Sequence, residues 1–426
     1  MKAAIHTLGC RVNHYESEAI GEMMVKAGYE LVSFSEKADC YIINTCTVTG
    51  MSDRKSRQII RRAKQLNPDC VVVVTGCYAQ TAPDDVLKID SVNLVVGTND
   101  RKKIPELVEK AKSERICTVG DIMEVREFEE LNVETYFERT RAFLKIQDGC
   151  NQYCSYCIIP YARGRVRSRR KENVLSEVKR LAENGYKEFV LSGIHVASYG
   201  KDLGDTDLLD IVKSVHEIEG VERIRIGSIE PSVITDEFAY ELSKLPKFCP
   251  HFHISLQSGC DNTLKRMNRK YTADEYMKSV EAVRKHFENP GISTDVMVGF
   301  SGETEADFEA SCNFVEKVAF SKLHVFPYSV RRGTRAEGFD GVVPNEEKNR
   351  RCSKMIEIGE KSTGEFLTDQ IGRYANVLFE QPCGDGYYEG FTENYAKVYK
   401  KSDMDLSGEI IRVKITGLHN GGLLVE

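Results

Sequence analysis

Three cysteines fall within eight residues in the stretch Cys150-Asn151-Gln152-Tyr153-Cys154-Ser155-Tyr156-Cys157. Thiolates at spacings of four and three can hold three irons of a cubane cluster, which leaves the fourth iron open to a bidentate small molecule. A structural zinc would need a fourth Cys or His ligand, and none follows within the next 30 residues. A second set is spread along the first quarter of the chain. Cys10, Cys46 and Cys77 each follow a short apolar run: Ala3-Ala4-Ile5, Cys40-Tyr41-Ile42-Ile43 and Val71-Val72-Val73-Val74. Runs rich in Val and Ile suit buried parallel strands. Each thiol then lies just past a strand's C-terminal end, the edge where ligands of open α/β sheets collect. The bland alternative for this set is three core cysteines that align by chance.

The elements that must position these residues fall into three regions. Residues 1 to about 112 alternate apolar runs, the last at 92–96, with segments long enough for crossover helices, which predicts an open parallel α/β domain. Residues 113–137 are strongly charged and read as a linker with one strand around 116–119. Six strand candidates follow, at 143–146, 189–192, 223–226, 252–256, 293–298 and 323–326, with starts 46, 34, 29, 41 and 30 residues apart. That spacing fits one strand and one helix each time. It is consistent with a partial (β/α)6 barrel carrying its functional loops at the strand C-termini, and with an open doubly wound sheet. Residues 367–426 change character, with strands at 374–380, 396–399 and 409–415 between Gly, Asp and Asn turns, as in a small all-β barrel. The expected domains are 1–112, 136–366 and 367–426.

Composition narrows the function classes. The chain has 426 residues, 41% hydrophobic and 29% charged, the balance of a globular protein rather than a disordered one. No run approaches 18 apolar residues, so no transmembrane helix is expected. His6, Arg11, His14 and Glu16 come before any apolar stretch of signal-peptide length, which predicts a cytoplasmic protein without membrane partners. In that setting fourteen cysteines point to metal or redox chemistry rather than disulfides. The phosphate-loop, dinucleotide-binding and His-Glu-x-x-His patterns are absent.

The net charge of -6 means that any nucleic-acid surface is local. Two basic stretches lack acids. Residues 54–64 place Arg54, Arg57, Arg61 and Lys64 on one helical face. Residues 163–171 carry Arg163, Arg165, Arg167, Arg169, Arg170 and Lys171 directly after the cysteine triplet. Both suit RNA phosphates; either is also readable as a solvated face. Residues 367–426 hold six Lys and Arg against nine Asp and Glu, so RNA contact there would rest on stacking by tyrosines and Phe391.

The Cys-x-x-x-Cys-x-aromatic-Cys word after a first strand resembles the radical S-adenosylmethionine (SAM) superfamily. With Thr7-Leu8-Gly9-Cys10-Arg11-Val12-Asn13, Asn44-Thr45-Cys46-Thr47-Val48 and Thr75-Gly76-Cys77-Tyr78-Ala79-Gln80, the whole chain resembles the methylthiotransferases. The resemblance implies a [4Fe–4S] cluster on Cys150, Cys154 and Cys157 that binds SAM and cleaves it to a 5′-deoxyadenosyl radical. It implies a second [4Fe–4S] cluster on Cys10, Cys46 and Cys77 that carries or donates sulfur, and a C-terminal TRAM domain. The implied partners are tRNA at its anticodon stem-loop, a reducing electron donor and a sulfur source. Known branches act on isopentenyl-adenosine or threonylcarbamoyl-adenosine in tRNA, or on a ribosomal aspartate. Gly9-Cys10-Arg11-Val12-Asn13 and Ser228-Ile229-Glu230-Pro231 look most like the threonylcarbamoyl-adenosine branch. A zinc-containing RNA-binding protein is the reading from a different class.

Candidate SAM contacts sit at predicted strand ends. Ser192 and Gly193 close the second strand, where many radical SAM enzymes have Gly-Gly-Glu and this chain has Ser-Gly-Ile. Glu230 ends the third and could supply the missing carboxylate. Gln257 ends the fourth, and Gly299 at the end of the fifth allows close backbone approach to adenine or ribose. Tyr156 and Phe326 are aromatic candidates to pack on adenine, or to be core.

Overall fold

The computed structural model describes residues 1–134 and 140–426; the expected domain start at 136 lies outside the described residues. The first region is β1 (Lys2–Thr7), α1 (Arg11–Lys26), β2 (Glu30–Val32), β3 (Cys40–Thr45), α2 (Gly50–Leu66), β4 (Val71–Gly76), α3 (Cys77–Thr81), α4 (Pro83–Leu87), β5 (Leu94–Val95), α5 (Ile104–Lys110) and β6 (Ile116–Cys117). All pairings in its sheet are parallel and the order is β2-β1-β3-β4-β5-β6. Every residue of β3 and β4 is buried, which is why these runs read as continuously apolar rather than alternating. The order reverses between β1 and β3, so the crevice outside their C-terminal ends is the sheet's switch point. Cys10 and Cys46 flank that crevice, and Cys77 opens α3 one strand further on.

The second region is β7 (Arg141–Asp148), α6 (Ile159–Arg163), β8 (Arg167–Ser168), α7 (Lys171–Glu183), β9 (Glu188–Gly193), α8 (Leu208–His216), β10 (Arg223–Ile226), α9 (Asp236–Ser243), β11 (His251–His253), α10 (Asp261–Arg266), α11 (Ala273–His286), β12 (Gly291–Val298), α12 (Glu305–Val318), β13 (Lys322–Pro327) and α13 (Asn345–Thr368). All six expected strands are present. They form two sheets, β10-β9-β7-β8 and β11-β12-β13, joined by single parallel bridges at Ile224/Phe248 and Ile229/Ile254. The barrel alternative is therefore the observed one, open between β8 and β13. One core runs from Leu144 and Ile146 through Leu191 and Ile224 to Val296, and it includes Tyr15 and Ala19 of α1. The first region thus shares apolar burial with the barrel.

The third region is a closed barrel, β14 (Tyr374–Pro382), β15 (Tyr387–Thr392), β16 (Lys397–Lys401), β17 (Ile410–His419) and β18 (Gly422–Val425), in the order β14-β15-β16-β18-β17. It closes the N-terminal end of the large barrel. Arg223 donates to Asn376 O, and Arg225 donates to Thr392 O and Glu393 O at 2.9 and 2.7 Å. Tyr395 stacks on His251 at 4.4 Å between ring centroids. A Cβ on Gly291 would lie 2.0 Å from Asn394 O, so only glycine lets the two barrels meet there. No helix among the described residues is long and apolar enough to cross a membrane.

Candidate active site

β7 ends in a glycine that the loop geometry requires. Gly149 has φ +70°, and a Cβ there would stand 1.8 Å from Arg165 O. The following loop is tied down on both sides. Cys150 N donates to Gly164 O at 3.0 Å, Ser155 N to Met267 O at 2.9 Å, and Asn268 Nδ2 to Tyr153 O at 2.9 Å. Tyr153 takes a left-handed φ of 49°, which turns the chain so that Cys157 N reaches Cys154 O at 2.9 Å. Cys150, Cys154 and Cys157 are all half-buried. Burial pushes the Cys150 thiol up to about 11 and the Cys157 thiol up to about 12, with the Cys154 sulfur adding to both. As free thiols they stay protonated; ligation to iron is what would hold them as thiolates.

A charged relay surrounds this loop. Arg269 Nη1 lies 3.3 Å from Cys154 Sγ, and its Nη2 lies 2.9 Å from Glu230 Oε1. Glu230 Oε2 accepts from Gln152 Nε2 at 3.0 Å and faces His195 Nε2 at 3.0 Å. Burial alone would raise the Glu230 carboxyl; His195 and Arg269 hold it below its ordinary value. Glu230 is the one acid sequence reasoning placed here. Arg269 and His195 were not foreseen, because nothing near them in the chain marks a cation aimed at a thiol.

The other three thiols converge at the switch-point crevice. Gly9 has φ +117°, and a Cβ there would meet Cys46 Cβ at 3.0 Å and Cys46 Sγ at 3.3 Å. Cys10 is the N-cap of α1 and is exposed as a residue. Desolvation of its sulfur raises the thiol, and Arg163 and the amides of Asn13 and Val12 oppose that. Cys46 and Cys77 are buried, both raised by desolvation, and Cys77 lies within electrostatic reach of each of the other two. α3, which begins at Cys77, packs against α6, which follows Cys157. Arg163, the last residue of α6, places Nε 3.3 Å from Cys77 Sγ. The helix that opens at Cys77 is thus packed against the one that follows Cys157.

A buried ionic network fixes this junction. Glu16 of α1 is fully buried and receives Arg101 at 2.6 Å, Lys145 at 2.8 Å and Arg163 at 2.5 Å. Lys145 also contacts Asp148 at 2.5 Å. Burial would raise the Glu16 carboxyl, and Arg101, Arg163 and Lys145 instead hold it well below the usual range; Asp148 is lowered in the same way by Lys145, Arg163 and Arg167. Removing one partner of such a set leaves buried charge uncompensated. Glu16→Ala is expected to cost roughly 3–5 kcal/mol in denaturant unfolding, and an unchanged midpoint would contradict the network. With both folded-state values depressed, the charge contribution is complete above the ordinary carboxylate range and is lost as pH falls through and below it. Wild-type stability should therefore drop on the acid side, and the Glu16→Ala variant should show a shallower drop.

This network corrects the second basic stretch. Arg163, Arg167 and Arg169 are buried, and Arg169 pairs with Glu130 at 2.7 Å and with Glu177. Arg163 is thus an internal strut between the two cysteine sets, not a phosphate contact. Arg165 is exposed. The first stretch is a surface as expected: α2 buries only Ser56, Ile60 and Ala63. Arg54 and Arg61 are exposed, and Arg57 donates to the Tyr78 hydroxyl at 3.2 Å. A groove of about 560 Å³ beside it is lined by the cations Arg57, Arg61 and Lys88, by Tyr78, and by the acids Asp85 and Asp90.

The remaining candidates divide. Ser192 Oγ is buried and has no hydrogen-bond partner among the described residues, as a ligand-facing hydroxyl would. A Cβ on Gly193 would meet Gln147 Oε1 at 2.8 Å; that oxygen accepts from His195 N while Gln147 Nε2 donates to Gly149 O, clamping the β9 turn to the cysteine loop. Gln257 sits at a left-handed φ of 68° and bridges to β12 through its backbone. Gly299 has φ +70° and its Cβ would strike Lys348 Cγ at 2.4 Å, so its glycine is explained by the packing of α13. Tyr156 packs edge-on against Phe300 at 6.3 Å. Phe326 is 49% exposed at the end of β13. Among the described residues no group of three His, Cys, Asp or Glu side chains stands at metal-ligand spacing. The fit to iron rests on the donor chemistry: two sets of three thiols, with Arg269 at Cys154 and the buried Arg163 at Cys77.

The partial barrel with a cysteine loop after its first strand defines a radical SAM enzyme, and residues 144–315 match the radical SAM superfamily. Residues 2–97 match a family described as "Uncharacterized protein family UPF0004". The chain is 44% identical over 419 residues, 97% of its length and 93% of the relative's, to the "Threonylcarbamoyladenosine tRNA methylthiotransferase MtaB" of Bacillus subtilis. It is 35% identical over 435 residues, 99% of its length and 95% of the relative's, to the "tRNA-2-methylthio-N(6)-dimethylallyladenosine synthase" of Clostridium novyi. It belongs to the radical SAM methylthiotransferase family, and is an enzyme of that class. The fold is also similar to the radical SAM methyltransferase TsrM from Kitasatospora setae, with a TM-score of 0.59, 14% identity, and coverage of 84% of this chain and 89% of that one. Membership implies a [4Fe–4S] cluster and SAM.

Proposed function

We propose that this enzyme transfers a methylthio group to C2 of N6-threonylcarbamoyladenosine at position 37 of tRNA. The observation that carries the reading is the packing of α3, which opens at Cys77, against α6, which follows Cys157, with Arg163 Nε 3.3 Å from Cys77 Sγ. In this reading Cys150, Cys154 and Cys157 hold the SAM cluster, and Cys10, Cys46 and Cys77 hold an auxiliary [4Fe–4S] cluster that carries the sulfur. The clusters and SAM supply radical generation and the sulfur to be transferred. The chain's own groups do the rest. Glu230, held as a carboxylate by His195 and Arg269, faces the SAM-side loop and suits the SAM ammonium group. Ser192 offers its unused hydroxyl. Arg269 and Arg163 place positive charge against Cys154 and Cys77, offsetting the negative charge that thiolate-bound clusters bring to a buried site. The basic face of α2, with Arg54, Arg57 and Arg61, and the exposed Arg165 would meet the phosphates of the anticodon stem-loop. A cytoplasmic reductant and sulfur source complete the cycle.

The threonylcarbamoyl target is favoured over the dimethylallyl one by the identities of the relatives so named, 35–44% against 34–35%. Nucleoside mass spectrometry of tRNA from a strain lacking the gene tests it. The expected result is loss of 2-methylthio-N6-threonylcarbamoyladenosine with its unmethylthiolated precursor accumulating. Loss of the 2-methylthio isopentenyl nucleoside instead would overturn the substrate assignment.

A further inference from the structure

The barrel lumen holds a polar set that no step above uses. His251 and His253 on β11 share Ser293 of β12 at 3.2 and 3.0 Å. His253 also faces Asp295 at 3.3 Å, and His324 of β13 lies 6.1 Å from His253 between ring centroids. Over this set reaches Arg11, the residue that follows Cys10. Its guanidinium stands 5.3 Å from the ring centroid of Phe143 on β7 and is felt electrostatically at both His251 and His324. β7, β11 and β13 lie on different walls of the barrel. Arg11 opens α1, which packs against β7, so its guanidinium enters the barrel from the first region and lies beside the Phe143 ring.

The charge pattern singles out Arg11. Arg141, 5.8 Å from the centroid of the same Phe143 ring, is matched by Glu380 at 2.5 Å, and Arg225 by Glu188 at 2.9 Å. Asp295 is engaged by His253. Arg11 is exposed, and among the described residues it has an aromatic contact but no carboxylate partner. A guanidinium fork beside an aromatic ring is suited to a planar carboxylate. The two adenosines named for the relatives differ in that respect: a threonylcarbamoyl group ends in a free carboxylate, whereas a dimethylallyl group is wholly apolar.

We propose that Arg11, held over Phe143 inside the barrel, binds the threonyl carboxylate of the substrate adenosine and so selects an anionic N6 substituent over an uncharged one. This rests on the function proposed above and makes Arg11 a specificity residue. A charge-assisted hydrogen bond of this kind is worth about 10- to 100-fold in kcat/KM.

The test uses the cluster-reconstituted full chain and two anticodon stem-loops, one carrying N6-threonylcarbamoyladenosine and one its threonine methyl ester. The wild type should prefer the free carboxylate by about 10- to 100-fold, Arg11→Gln should bring that ratio close to one, and Arg11→Lys should keep most of it. The ratio is the readout because damage to the adjacent Cys10 site slows both substrates alike. A wild type that treats acid and ester equally, or an Arg11→Gln variant that keeps the full preference, overturns the proposal. A wild type that methylthiolates neither stem-loop but accepts one bearing the isopentenyl nucleoside sinks the substrate assignment instead. That result is separate from an error about Arg11, which the first two outcomes reveal while the assignment stands.

Discussion

Cys154→Ala is expected to abolish reductive cleavage of SAM. Cys154 lies in the middle of the loop between β7 and α6, and its sulfur is the one that Arg269 touches, at 3.3 Å. Without it the SAM-side triad has two thiols, too few to hold the three irons that leave one coordination position for SAM. The variant should fold, because Cys154 is half-buried and the loop is anchored through the backbone at Cys150, Tyr153 and Ser155. Anaerobic incubation with SAM and dithionite should yield no 5′-deoxyadenosine, and iron should fall from about eight to about four per chain. Wild-type cleavage in this variant would remove the triplet from the SAM site.

Cys46→Ala should separate the two halves of the chemistry. Cys46 follows β3 at the switch point, away from the SAM-side loop, so the protein should still form 5′-deoxyadenosine from SAM. It should give no 2-methylthio product on tRNA. The contrast has a structural basis: Cys150, Cys154 and Cys157 are positioned by β7, Met267 and Asn268, none of which depends on Cys46. Liquid chromatography of both products from one reaction decides it. Methylthiolated nucleoside from Cys46→Ala would show that sulfur does not pass through the first domain. Loss of both products with cluster absorbance retained would show that the two sites are not separable.

Much of this was legible from residue types and spacing, for reasons visible in the fold. β3 and β4 are short buried strands whose unbroken apolar runs announce them, whereas β10 is buried along its length with arginine alternating with isoleucine. The cysteines were legible because each follows such a run. β8 is two residues long and carries Arg167 and Ser168, so no periodicity marks it. β15, Tyr387–Thr392, has a glycine and a glutamate inside it, and the four-residue β18 starts on a glycine next to the preceding turn. The largest misreading concerns Arg163, Arg167 and Arg169. A run of arginines without nearby acids looks like a solvated face, but their partners come from far along the chain: Glu16 is 147 residues from Arg163, and Glu130 is 39 residues from Arg169. Long-range ion pairing leaves no local signature. Arg269 escaped for the same reason, since Cys154 and Glu230, which it joins, lie on other elements. Gly299 was read as a place for adenine, whereas Lys348 of α13 supplies a packing reason for it.

Two iron–sulfur sites in one chain are tested most directly by counting iron and acid-labile sulfide in anaerobically purified protein. The wild type should carry about eight of each, and a variant lacking Cys10, Cys46 and Cys77 together should carry about four while still binding SAM. About four in both proteins, or zinc in place of iron, would contradict them.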